Sequence, residues 1–354
     1  MNGGFWDKLR KPILALAPMA DVTDAVFRRL VAKKGKPDVM FTEFVVADGL
    51  MHPVGRERLL VDLRYSEIER PIVAQIWGGK PDNIEGAARL VRELGFDGVD
   101  INMGCPDKGV EKQDGGAGLI RHHDLARQII DAAMHGTDGA IPVSVKTRIG
   151  YNTIDLEWIK LLMNSGIAAL TLHLRTRKEM SKVPAHWELI PELLGELRGR
   201  VPVLAPSDVA SGDMASRVDG DMVAPLVIGN GDVRDLVDAR EKVAQSGADG
   251  AMLGRAIFGN PWLFAENGKP DWPEVFETIV EHSRRFEEEY LVPRSLGGVG
   301  KNFAIMRKFF GAYVAGLPSK ALAKSGHPSV TSLKLALMEC ATALEVEAVL
   351  KPLM

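Results

Sequence analysis

The chain alternates between short runs of consecutive apolar residues and longer stretches with helical spacing. The short runs are Ile13–Leu16, Val39–Thr42, Ile72–Ile76, Gly98–Ile101, Pro142–Val145, Leu170–Leu172, Leu226–Ile228 and Ala251–Leu253, and a further run, Val201–Leu204, competes for a place. Between them, "DNIEGAARLVRELG" sets Ile84, Ala87, Ala88, Val91 and Leu94 on one helical stripe. Such segments stop at Gly95, Gly166 and Gly247, where a left-handed residue is wanted to end a helix. Wholly apolar strands alternating with helices predict an α/β chain with a parallel sheet buried on both faces. Eight units favour a closed (β/α)8 TIM barrel, with a doubly wound open sheet as the alternative.

Two connections depart from this rhythm. "NMGCPDKGVEKQDGGAGL" follows the fourth run as a Gly-rich loop, and residues 201–225 read as a surface insertion, rich in Asp, Ser and Gly. From about Pro270 the pattern is helical alone. The division predicted is a barrel over residues 1–266 and a small all-helical domain over 267–354.

Composition narrows the class. Apolar content of 46% and charged content of 26% exclude wholesale disorder. Two cysteines, Cys105 and Cys340, with no CxxC spacing exclude a disulfide framework or a cysteine-rich metal site, and fit a reducing cytoplasm. Lys8, Arg10 and Lys11 before "ILALAPMA" imitate a secretion signal, but Pro12 and Pro18 confine its apolar part. No run approaches the roughly eighteen apolar residues of a membrane span. No metal is expected, since His52, His135, His186 and His327 stand without ligand spacing and His122-His123 reads as a solvated helix start. Trp158 and Trp187 read as packing residues.

In a parallel barrel, chemistry collects where strands end. Those positions hold Pro18-Met19-Ala20, Glu43, Gln75, Asn102, Lys146, His173, Asn230-Gly231-Asp232 and Gly254-Arg255. Polar groups converging on one mouth point to a ligand site. "GNGD" and "GRAIFGNPW" follow adjacent strands; their glycines admit an anion to backbone N–H groups, and Arg255 adds a fixed cation. Cys105 lies in the polar loop "NMGCP", unlike Cys340 in a helical apolar pattern. Acid–base use of its thiol and covalent catalysis are equally open from the residues alone.

"LAPMADVTDAVFRRL", "TEFV", "PIVAQIWG", "GVDINMGCPDK", "VSVKTRIGYN", "LTLHLRTR", "VIGNGDV" and "GADGAMLGRAIFGNPWLF" together resemble the tRNA-dihydrouridine synthases. The likeness runs in order from Pro12 to about Phe264, and "MRKFFGAYVAGLP" resembles the family's C-terminal domain.

The resemblance implies an FMN-containing barrel that reduces uridine in tRNA to dihydrouridine with NADPH. It puts Pro18, Met19 and Ala20 along the flavin, Gln75 on its ring, Lys146 and His173 beside it, and Asn230, Gly231, Asp232, Gly254 and Arg255 at its phosphate end. Asn102 and Arg175 match uracil-facing positions, and Arg148 joins them. Cys105 matches the proton donor. Hydride from flavin N5 to uracil C6 builds charge at C5, which an acid must protonate. A thiol near its ordinary pKa of about 8.5 keeps its proton at pH 7 yet yields it readily. The uridine must leave its stack, so the site should act as a base-flipping pocket.

Three features depart from the family's pattern. Residues 201–225 lengthen the path to "VIGNGDV", Trp77 threatens to crowd the flavin or RNA, and Phe309 stands where a His often follows Arg-Lys. Two competing readings are an FMN barrel acting on a free pyrimidine and an RNA-binding protein without activity. The first has no use for a basic tail, and intact Cys105, Lys146 and His173 disfavour the second. Net charge is -3, but no carboxylate lies between Glu289 and Glu339, where Arg294, Lys301, Arg307, Lys308, Lys320, Lys324 and Lys334 stand. The predicted tail is thus a basic clamp for a polyanion, with Arg307 and Lys308 as RNA contacts.

Overall fold

Each of the eight principal apolar runs becomes a strand, and each strand pairs in parallel with its neighbours. The structure is a computed structural model of the 354-residue chain, describing residues 3–198, 224–291, 301–322 and 327–354. Its strands are β1 (Ile13–Leu16), β2 (Met40–Phe41), β3 (Val45–Val46), β4 (Ile72–Trp77), β5 (Gly98–Met103), β6 (Val143–Arg148), β7 (Ala169–His173), β8 (Leu226–Asn230) and β9 (Gly250–Leu253). They follow the order β1-β9-β8-β7-β6-β5-β4-β2, with β3 also on β4. The two ends of that path meet where Ala15 bridges Val39, with Leu16 N–H donating to Val39 O at 3.1 Å. An open sheet would leave both edges unpaired, so this contact decides for the barrel. β2 and β3 are two pieces of one stave, interrupted at Thr42–Phe44.

Several strands outrun their predicted ends. β5 reaches Met103, β6 reaches Arg148 and β8 reaches Asn230. An apolarity criterion stops at the first polar side chain, whereas a barrel interior accepts polar residues near its C-terminal mouth. Asn102, Lys146, Arg148, His173 and Asn230 are therefore strand residues with fixed direction. The place between β7 and β9 is taken by β8, in register from Ala169↔Leu226 to His173↔Asn230. Val201–Leu204 and nearly all of the expected 201–225 insertion lie outside the described residues.

Alternation along the strands builds two cores. Inside the barrel, Ile13, Ala15, Val39, Phe41, Val73, Ala169, Ile228 and Met252 form an apolar plug with Trp6. Phe5 lies against Gly98 at the start of β5, so the Gly4–Lys8 turn sits at the N-terminal end. Outside it, residues such as Leu14, Leu16, Ile72, Ala74, Val99 and Ile101 pack against the helices. The helix Pro81–Glu93 turns in Ile84, Ala87, Ala88 and Val91, as its stripe predicts. Gly95, Gly166 and Gly247 have φ of 79°, 75° and 72°.

The C-terminal helices pack beside the helix Ala25–Lys34. Helix Trp272–Tyr290 lies along it, with pairs Arg29–Glu289 (2.7 Å), Lys33–Glu281 (3.0 Å) and Lys34–Glu274 (3.0 Å). Phe309 is fully buried, its ring 4.9 Å from Phe27 and 4.7 Å from His282. It is a packing residue of this junction, which explains an aromatic apolar side chain after Arg307-Lys308. Among the described residues, no helix is long and apolar enough to cross a membrane.

Candidate active site

The mouth is built on the interior-facing residues of β4 to β8. Asn102 pairs in register with Lys146, and Arg148, His173 and Asn230 form an adjacent row. Period two makes Gln75 on β4, Asp100 and Asn102 on β5, and Ser144 and Lys146 on β6 share the interior face. Gln75 Nε2 donates to Asp100 Oδ2 at 2.7 Å, and Asn102 Nδ2 donates to Gln75 Oε1 at 3.0 Å. Lys146 Nζ donates to Asn230 Oδ1 at 3.3 Å, while Asn230 Nδ2 donates to Met252 O at 2.7 Å.

Cys105 sits just above this row and is partly exposed. Its N–H donates to Asn102 Oδ1 at 2.9 Å, and its carbonyl accepts from Ala117 N–H at 2.9 Å. Gly104 O accepts from Arg148 Nε at 2.9 Å, and Pro106 O accepts from Arg177 Nη2 at 3.1 Å. Gly116, at φ 55°, lies so close that a Cβ there would stand 2.7 Å from Cys105 O. The loop thus fixes Cys105 through backbone contacts, and the Asp107 N–H reaches its sulfur. Burial pushes the thiol above its ordinary pKa, against the Asp107 N–H first and then the pull of Arg148 and Lys146. It remains an acid at neutral pH.

The other charges are mostly cationic. Lys146 is pushed down to about 8, first by burial and then by Arg148, with Asp100 partly offsetting both. Burial, followed by Lys146, Arg148, Arg175 and Arg255, holds His173 down to about 2. A neutral imidazole has one donor and one acceptor. Arg148 Nη1 lies 3.3 Å from His173 Nδ1 and can only donate, so the ring proton belongs on Nε2. Nε2 is 3.8 Å from where a Cβ on Gly231 would lie.

Gly231 itself has φ 123°, open to glycine and strained for other residues. Trp187 supports the turn from behind, donating from Nε1 to Gly231 O at 2.8 Å. Asp232 joins two guanidinium groups: Arg175 Nη2 donates to one oxygen and Arg255 Nη2 to the other, at 3.1 Å for the latter. Arg175 Nε is engaged by Val183 O at 2.6 Å, but its Nη1 is buried without a partner among the described residues. Arg175, expected on the uracil side, is therefore tied to the residues expected at the phosphate end, because the Asp232 carboxylate draws it there.

The remaining expected residues fall as follows. Pro18, Met19 and Ala20 follow β1; Met19 N–H donates to Thr23 Oγ1 at 2.9 Å, and its Sδ approaches the Gly254 turn. Trp77 is buried against Gly115 of the Cys105 loop, and so is packed under that loop. Arg307 is exposed, and Lys308 Nζ donates to Asp21 Oδ2 at 2.9 Å at the edge of the mouth. Arg294 and Lys324 lie outside the described residues. Lys301 is spent on docking, 2.9 Å from Asp62 and 3.6 Å from Glu43. Sequence reasoning missed Asp100, Ser144 and Arg177. The signal for the first was available: a carboxylate alternating with Gly98 and Asn102 in an otherwise apolar strand.

Fold and site define an α/β-barrel enzyme working at the C-terminal mouth of its strands. The family model described as Dihydrouridine synthase (Dus) matches residues 15–224 and 220–348. "Probable tRNA-dihydrouridine synthase 2" of Bacillus subtilis (strain 168) is 39% identical over 320 residues, covering 89% of each chain. "Probable tRNA-dihydrouridine synthase" of Staphylococcus aureus (strain COL) is 38% identical over 323 residues, covering 90% of this chain and 88% of its own. Histamine dehydrogenase from Rhizobium sp. 4-9 shares the barrel fold alone, at TM-score 0.50 and 11% identity over 77% of this chain and 48% of its own. The chain belongs to the dihydrouridine synthase family of oxidoreductases.

Proposed function

We propose that this chain is a cytoplasmic, NADPH-dependent flavoenzyme that reduces the C5–C6 double bond of specific uridines in tRNA to 5,6-dihydrouridine. Family membership supports the reaction, and the chemistry of the mouth supports FMN as cofactor. A phosphate needs cations and N–H donors; Arg175 Nη1 is buried beside Gly231 with no partner among the described residues, and Arg255 stands across Asp232. The residues fit the group. Asn230, Gly231, Asp232, Gly254 and Arg255, joined by Arg175, would hold its phosphate end. Pro18, Met19, Ala20, Gln75, Lys146 and His173 would line its ring, Lys146 adding a cation and His173 an Nε2 donor.

When bound, FMN supplies the hydride that adds to uracil C6. Asn102 and Arg148 would orient the uracil, which must leave its stack to enter. As negative charge builds at C5, the Cys105 thiol gives its proton to that carbon. The resulting thiolate lies near Arg148 and Lys146 and regains a proton from solvent. Arg307 and Lys308 would meet the tRNA backbone.

One observation carries this reading: Asn102 holds the Cys105 loop through Oδ1 and Gln75 through Nδ2. The proposed acid and a proposed cofactor contact therefore share one rigid piece. Purified protein is expected to be yellow, and Cys105→Ala to keep the flavin while slowing tRNA reduction about 10³-fold. A colourless protein that FMN cannot reconstitute would sink the flavoenzyme reading. Equal turnover of free uridine and tRNA would reject tRNA as the dedicated substrate.

A further inference from the structure

We propose that Asp100 is a positioning residue that sets the hydrogen-bond polarity of the mouth, fixing Gln75 and Asn102 and through them the Cys105 loop. Asp100 is fully buried inside the barrel. Ser144 Oγ donates to its Oδ1 at 2.6 Å and Gln75 Nε2 to its Oδ2 at 2.7 Å. An ionised carboxylate accepts and never donates. Gln75 must therefore turn its amide nitrogen to Asp100 and its carbonyl to Asn102. Asn102 must then turn Nδ2 to Gln75 and Oδ1 to the N–H groups of Gly104 (3.1 Å) and Cys105 (2.9 Å).

Amide groups have two orientations of nearly equal shape, and only their partners choose between them. Flipping Gln75 alone would set its carbonyl against a carboxylate and its NH₂ against another NH₂. Flipping both amides would set Asn102 Nδ2 against two backbone donors. One orientation satisfies every group, and Asp100 anchors it at the buried end. Burying a carboxylate is costly, and an apolar residue would fill the same space. The polarity it imposes is the reason to keep it. The proposal rests on the reading above only in taking Gln75 as a cofactor contact.

The test uses the full-length chain in a Cys340→Ser background. Asp100→Leu keeps the volume but removes the acceptor. Asp100→Asn keeps a carbonyl for Gln75 and turns its amide toward Ser144 Oγ, which can accept. FMN affinity is read by fluorescence quenching, and Cys105 by its rate of alkylation with iodoacetamide in the flavin-free protein. Asp100→Leu is expected to weaken FMN binding and to change the alkylation rate, each by about tenfold, with circular dichroism unchanged; Asp100→Asn should keep both within about threefold. Unaltered values in Asp100→Leu would overturn the proposal. So would an Asn variant as impaired as the Leu variant, since charge opposite Lys146 would then be what matters. If Asp100→Leu does not fold, Gln75→Leu breaks the same chain one step later, and an unaltered Cys105 rate there overturns the proposal equally. Failure of wild-type protein to bind FMN would reject the flavoenzyme reading, while the alkylation rates still decide the relay.

Discussion

The barrel's staves carry two unlike interiors. Toward their N-terminal ends, Ile13, Val39, Phe41, Val73 and Ala169 meet around Trp6 in an apolar plug. Toward their C-terminal ends, Gln75, Asp100, Asn102, Lys146, His173 and Asn230 face one another. The second stave shows both within two residues: Phe41 is wholly buried among apolar neighbours, and Glu43 is a buried carboxylate whose pKa rises to about 7 through desolvation. The plug lowers the free energy of the fold. The mouth raises it, holding charges that burial disfavours.

The comparison predicts opposite outcomes for substitution in the two halves. Phe41→Ala should destabilise the chain by about 3–5 kcal/mol, in urea unfolding, while FMN affinity of the folded protein is unchanged. A comparable loss of flavin affinity would show that the plug is part of the site.

Lys146→Met should do the reverse. The folded pKa of about 8 lies below the ordinary 10.5, so the charged form costs stability at neutral pH. That cost vanishes as pH rises through 8 toward 10.5. The variant should gain roughly 1–3 kcal/mol at pH 7, lose that advantage above pH 10.5, and reduce tRNA poorly. A destabilised variant at pH 7 would break the comparison.

Glu43 sharpens it further. Its folded pKa of about 7 exceeds the ordinary 4.5, so its favourable contribution is complete below 4.5 and is lost as pH rises through 7. The partners around it are Lys301, Asp24 and Asp62, with Asp21 N–H at 2.5 Å. Glu43→Gln should therefore match wild type at pH 4.5 and exceed it by about 1–2 kcal/mol at pH 8, read from melting curves. A pH-independent difference would place the effect in packing instead.

Much of this was legible in the chain. Apolar runs and helical stripes located the staves, and the residue types at their ends announced a polar mouth with a thiol in it. Three details were not legible, each for a physical reason. Arg175 lies two residues past His173, yet its partner Asp232 stands 57 positions away. Lys301 belongs to a carboxylate-free stretch, yet Glu43 and Asp62 of the barrel neutralise it, so a count of basic residues overstated the charge offered to RNA. Phe309, standing where a His often follows Arg-Lys, is a buried packing residue between Phe27 and His282.

Sequence alone determined the alternation of strand and helix, the parallel sheet and the inventory of chemical groups, because periodicity and residue type are local. Tertiary structure decided which groups meet. Closure through Ala15 and Val39 turned a sheet into a ring, and the ring brought Gln75, Asp100, Asn102 and Ser144 into one chain of donors and acceptors. Hydrogen-bond polarity and the fate of each charge depend on partners tens of residues apart, and proximity of that kind exists only once the chain has folded.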